Sequence, residues 1–100
     1  MQARILIKRK FKKGKQKEIM ALLWELRSSA LHQPGYISGE TLVSNEDPQI
    51  LLVIGTWENL ASWHRWKENE TRRTLEKTLA TYQEGSTEYH EYISGSFIKD

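Results

Sequence analysis

Residues 49–57 read "QILLVIGTW", and within them five aliphatic residues, Ile50 to Ile54, follow one another without a polar interruption. A strand laid through this stretch is apolar on both parities. Preceded by the turn-forming "NEDPQ" at 45–49, the run predicts a strand over 49–57 that needs cover on both faces. The fold has to supply two covers, and the flanking sequence indicates what they are.

At 3–11, "ARILIKRKF" puts Ala3, Ile5, Ile7 and Phe11 on one parity, interrupted by Arg9, with Arg4, Lys8 and Lys10 on the other. That alternation predicts a strand with one buried face. "KKGKQ" supplies a turn centred on Gly14. Over 15–31, Ile19, Leu22, Leu23, Leu26 and Ala30 recur at steps of three and four, the stripe of an amphipathic helix. Trp24 lies off that stripe and is expected at the core edge or against a partner. "HQPG" at 32–35 ends the helix, because proline disfavours helical geometry in the residue before it. His32 reads as a residue that interacts favourably with the helix dipole. A strand follows at 36–44, weakened by Gly39. Leu60, Trp63, Trp66, Leu75, Leu79 and Tyr82 then give helical spacing over 60–82, with a break expected near "KENE". "STEYHEYISGSFI" at 86–98 closes the chain as a strand, with Tyr89, Glu91 and Ile93 alternating against His90, Tyr92 and Ser94.

The order strand, helix, strand, strand, helix, strand is the α+β, ferredoxin-like βαββαβ arrangement: a four-stranded antiparallel sheet with helices on one face. The helices cover one side of the 49–57 strand. A second copy, stacked sheet to sheet, is the expected cover of the other, so a homodimer is inferred from surplus apolar surface.

One hundred residues make a single domain, 1–100. There are no cysteines, which excludes disulfides and thiolate chemistry and suits a reducing cytoplasm, the expected location. The longest apolar run of the N-terminal decapeptide, Ile5-Leu6-Ile7, is far short of a membrane span or a signal segment, so no membrane association is expected. Eight of the fifteen basic residues fall in the first seventeen positions. They read as solvated lysines that protect the edge of an outer strand; nucleic acid is disfavoured, since no RNA-binding aromatic signature or helix-turn-helix accompanies them. Histidines at 32, 64 and 90 have no ligand spacing, so no metal site is expected. No phosphate loop or nucleophile elbow is visible.

"QPGYISGETLVSNEDPQILLVIGTWENLASWHRW" at 33–66 resembles the antibiotic biosynthesis monooxygenase (ABM) domain family. Pro34-Gly35, Asp47-Pro48, Trp57-Glu58 and Trp63-His64 occupy the places of its motifs, and the likeness spans roughly 3–97. The resemblance implies a dimeric α+β barrel with a cavity between sheet and helices. It also implies a cofactor-independent monooxygenase acting on a small aromatic or polyphenolic ligand. The haem-degrading branch is disfavoured: its asparagine and proximal histidine fall on Ile7 and Arg73, and arginine does not ligate iron. The quinone-forming branch is matched by "NLASW", in which Asn59 would hold an oxyanion and Trp63 would stack on the substrate. Spacing of four places such a pair on one helical face.

The catalytic candidates are thus Asn59, Trp63 and His64, although His64 lies about 100° round the helix from Trp63 and does not face the same narrow cleft squarely. Tyr36, Trp57, Trp66, His90 and Tyr92 are candidate substrate contacts. Trp57 and Trp66 read first as packing, and the tyrosines equally as dimer contacts; His64, His90 or Tyr36 would assist proton removal. The alternatives are a non-catalytic dimeric ligand-binding or stress-associated protein, and a divergent haem-binding relative.

Overall fold

The computed structural model describes residues 1–95. Strand β1 spans Ala3–Lys10, helix α1 Gln16–Ala30, β2 Tyr36–Val43, β3 Ile50–Trp57, α2 Leu60–Lys67, α3 Glu70–Ala80 and β4 Glu88–Ile93. The sheet is antiparallel in the order β2-β3-β1-β4, which is the ferredoxin-like topology expected from the pattern. The closing strand was expected to run to 98; its last residues lie outside the described ones.

The expected alternation decides which face is covered. Ala3, Ile5, Ile7 and Arg9 of β1 pair with Trp57, Gly55, Val53 and Leu51 of β3, and this face lies beneath the helices. Ile19, Leu26 and Ala30 of α1, Trp63 and Trp66 of α2, and Leu79 of α3 close over it. The other parity carries Leu6, Leu42, Leu52 and Ile54, which no element among the described residues covers. Trp24, 70% exposed, turns away from the core on the outside of α1.

One expectation needs correcting. β1 is a central strand, bonded on one side to β3 and on the other to β4, so its basic residues protect no edge. Arg4, Lys8 and Lys10 project from the uncovered face, while Arg9 points inward. Pairing between distant strands is non-local, and the charges of one strand do not report it.

The second helical stretch is broken where the break was expected. Asn69 leaves helical geometry at φ −62°, ψ 135°, and its side chain accepts the Arg72 N–H, capping α3. At the turn after α1, Gly35 has φ +87°, and a Cβ there would stand 2.3 Å from Ser62 Oγ. Glycine is thus required twice over, by backbone and by space. Gly14 has φ +86° with open space around it. Gly35→Ala is expected to cost roughly 2–4 kcal/mol, and Gly14→Ala only about 1 kcal/mol, measured as the shift in urea unfolding free energy. Equal losses would show that the α1–β2 turn does not pack against α2 as described.

Candidate functional site

A row of aromatic rings runs under the helices. Tyr36 meets Trp57 edge to face, with centroids 5.1 Å apart. Trp57 and Trp63 follow at 6.1 Å, and Trp63 and Tyr89 at 6.1 Å. Tyr36, Trp57, Trp63 and Trp66, with Ile7, Leu26 and Val53, line a cavity of about 80 Å³ between the sheet and α1, α2 and α3. Glycines in the sheet make room for this row: a Cβ at Gly39 would approach Tyr36 Oη to 2.6 Å. Burial raises the Tyr36 hydroxyl above its ordinary pKa of 10.0, against the opposing charge of Arg27. At neutral pH the Tyr36 hydroxyl is therefore protonated, a donor rather than a base.

Charge also lines the cavity. Arg9 Nη2 donates to Glu76 Oε2 at 2.6 Å, and Arg72 Nη2 forms an ion pair with the same oxygen at 3.0 Å. Arg72 further donates to Tyr89 Oη at 2.7 Å and lies over the rings of Trp63 and Tyr89. Arg27, half-buried, donates to Thr41 Oγ1 at 3.1 Å. None of these was among the sequence candidates. The available signal was Arg9 itself, a cation on the buried parity of β1, together with the i,i+4 pair Arg72 and Glu76 on α3.

Asn59 stands elsewhere. It is exposed, has extended backbone at φ −162°, ψ 170°, and its Oδ1 accepts the Ser62 N–H at 2.9 Å. It is the N-cap of α2 and does not line the cavity. The shared-face reading with Trp63 fails because a spacing of four holds only inside a helix, and α2 begins one residue later. His64 is also exposed and outside the cavity, as the 100° offset from Trp63 requires. Its Nε2 lies 3.1 Å from Glu91 Oε2, which accepts the Trp63 Nε1–H at 2.8 Å. Glu91 thereby holds both residues of the pair. His90 and Tyr92 are on the opposite parity of β4 from Tyr89 and Glu91; they face the uncovered side of the sheet, Tyr92 being 57% exposed. The structure therefore brings together Tyr36, Trp57, Trp63 and Trp66, and leaves Asn59, His64, His90 and Tyr92 away from the cavity.

Ile7 lies in the cavity wall, and Arg73 is exposed on α3 away from it. No histidine lines the cavity, whose volume is far below that of a porphyrin. Among the described residues, no three His, Asp or Glu side chains are clustered to hold a metal ion.

The structure is a small α+β domain with a cavity between an antiparallel sheet and its helices. The chain belongs to the antibiotic biosynthesis monooxygenase family, whose model matches residues 3–78. Among solved structures, a conserved protein from Methanosarcina mazei Go1 is 23% identical, with a TM-score of 0.85 over 92% of this chain and 91% of that one. A putative antibiotic biosynthesis monooxygenase from Nitrosomonas europaea is 15% identical, with a TM-score of 0.83 over 91% of this chain and 88% of that one. SnoaB, a cofactor-independent oxygenase from Streptomyces nogalater, is 11% identical, with a TM-score of 0.82 over 99% of this chain and 98% of that one. At these identities the likeness is one of fold. No curated protein matches the sequence.

Burial of the Glu91 carboxyl disfavours its charge. The Trp63 and His64 hydrogen bonds and the charges of His64 and Lys67 outweigh this, and its pKa lies below the ordinary 4.5. A depressed folded pKa contributes stability that is present above the unfolded value and lost as pH falls through the folded one. The stability advantage of the parent chain over Glu91→Gln should therefore hold at pH 6 and shrink on acidification from about pH 4.5 downward. Urea titrations at stepped pH measure it; an advantage that grows on acidification would refute the assignment.

Proposed function

We propose that this chain is a cofactor-independent monooxygenase that oxidises a small, electron-rich aromatic substrate in the cavity under its helices. The observation that carries the reading is Trp63: only 1% exposed, it lines the cavity and has its N–H tethered to Glu91. A ring fixed in this way can stack on a substrate ring without losing side-chain freedom on binding.

Chemistry of this class asks little of the protein. An ionised dihydroxybenzene donates electrons to dioxygen directly. One oxygen atom replaces a ring hydrogen as a hydroxyl, the other leaves as water, and the ring supplies all four electrons by ending as a hydroxyquinone. Trp57, Trp63 and Trp66 exclude water and hold the ring, and Tyr36 donates to a ring oxygen. Asn59 acts through the fold, as the cap that starts α2, and not on the substrate.

Space sets a condition on entry. An apolar cavity of roughly 150 Å³ accepts benzene, about twice the volume here. A ring enters only if a lining side chain moves, and Arg27, half-buried and held by one hydrogen bond to Thr41, is the side chain best placed to do so.

The active form we propose is a homodimer of single-domain chains in the cytoplasm, an assignment that the cysteine-free composition supports. Leu6, Leu42, Leu52 and Ile54 form the apolar centre of the uncovered sheet face, with Tyr92 at its β4 side. A second copy stacked there would cover them. No helix of the described residues is long and apolar enough to cross a membrane.

With single-ring hydroquinones and neither flavin nor metal added, the purified chain should consume oxygen above the rate of autoxidation. Trp63→Ala should lower that rate roughly 10–100-fold. Asn59→Ser, which keeps the cap, should leave it unchanged. Sedimentation at micromolar concentration should show a dimer, and Ile54→Glu a monomer. No uptake beyond autoxidation refutes the oxygenase; a monomeric parent chain refutes the assembly.

A further inference from the structure

Arg9 is 4% exposed, deep beneath the helices, and it is the one cation on the buried face of β1. A buried guanidinium is tolerated when its charge and its donors are met. Here they are met in part. Glu76 supplies one carboxylate to two arginines: its Oε2 accepts the Arg9 hydrogen bond and pairs in charge with Arg72 at 3.0 Å. Arg72 donates to Tyr89 Oη and, at 3.4 Å, to the Lys67 carbonyl. Among the described residues, buried Arg9 Nε finds no hydrogen-bond acceptor, and the third guanidinium, Arg27, has only the neutral Thr41 hydroxyl as a hydrogen-bond partner. Among the described residues, three arginines and one glutamate line the cavity, so it carries an excess of positive charge against walls of tryptophan and leucine.

Among the described residues the cavity also contains no free base. Glu76 is the one carboxylate among them and is paired with two guanidiniums, Tyr36 stays protonated, and no histidine lines it. A ligand that needs to lose a proton on arrival finds nothing to take it.

We infer that the cavity selects an aromatic anion, a ring bearing an ionised carboxylate or phenolic oxygen that accepts the Arg9 Nε–H while the ring lies against Trp57 and Trp63. Such a ligand supplies the missing acceptor and offsets the surplus charge. Where the anionic group is a phenolic oxygen, the ring also arrives already in the form that gives electrons to oxygen. The inference rests on the proposed reading of the cavity as an aromatic site. Its test reads binding alone, so a chain that binds aromatic anions without consuming oxygen would lose the oxygenase and keep the anion site.

Isothermal titration of the unaltered chain compares two pairs of probes at one pH: benzoate against benzamide, and 4-nitrophenolate against nitrobenzene. The anion should bind at least about tenfold tighter in one or both pairs, the expected scale for a charge-assisted hydrogen bond in a buried site. The pair showing the preference identifies the anionic group. The preference should persist at high salt, which screens attraction by the exposed lysines and spares a buried contact. In Arg9→Met, Glu76 keeps Arg72 as its partner, and the preference should fall to within about twofold while the neutral probes bind as before. Circular dichroism confirms that the variant is folded; if it is not, the probe ratio and its salt dependence in the unaltered chain decide. Equal affinities within both pairs, a preference abolished by salt, a preference that survives Arg9→Met, or no binding of any probe would each overturn the inference.

Discussion

The ladder between β1 and β3 is the constraint on which the rest of the structure depends. Pairing Ala3 with Trp57, Ile5 with Gly55, Ile7 with Val53 and Arg9 with Leu51 sets a single parity beneath the helices. A slip of one residue would turn that set to the other side, bringing Leu6 and Lys8 inward and expelling the residues that now line the cavity. Trp57 is under the helices because Ala3, small and fully buried, stands opposite it. Gly55 and Gly39, neighbours across β3 and β2, leave the space that the rings of Trp57 and Tyr36 take. The same register carries Arg9 into the apolar layer, where α3 must answer it with Glu76.

Much of this was legible in the amino-acid order. Alternation in β1, the stripe of α1 and the run Ile50–Ile54 report local periodicity, and local periodicity is what a sequence displays directly. Two kinds of error followed where geometry departs from the local pattern. Asn59 looked like a partner of Trp63 because the interval is four, yet the residue before a helix has extended backbone and turns its side chain back on the first turn. His90 and Tyr92 were separable from Tyr89 and Glu91 by parity, but alternation does not say which set faces inward; pairing with β1 does. Arg9 was visible as an interruption of the buried parity. An interruption of that kind is a buried charge in want of a partner, and the partner lay 67 residues away on α3.

A shared fold does not by itself transfer chemistry. The structural neighbours share this backbone at 7–23% identity, so what the chain does depends on the residues it places in its own cavity. Here those residues are rings and guanidiniums. Trp63 illustrates how the two are joined: its face looks into the cavity, Arg72 lies 5.3 Å from its ring centroid, and its N–H is committed to Glu91. Each contact removes one freedom of the indole, and the surface offered to a ligand is correspondingly fixed before binding.

The division of labour between the arginines follows from their exposure. Arg72 is buried and engaged by Tyr89, the Lys67 carbonyl and the Glu76 charge, an arrangement that orients Trp63 and Tyr89. Arg9 is buried and incompletely engaged, which makes it the fixed positive point of the cavity. Arg27 is half-buried, with a neutral partner on β2 that water can replace at small cost. For the proposed ligand, a cavity too small for a ring, with a half-buried cation at its rim and a buried one at its base, implies an order of events. An incoming anion would meet Arg27 first, displace it from Thr41, and gain the volume it needs on the way to Arg9. A neutral ring of the same shape would receive neither attraction, and would have to open the cavity with no compensating interaction.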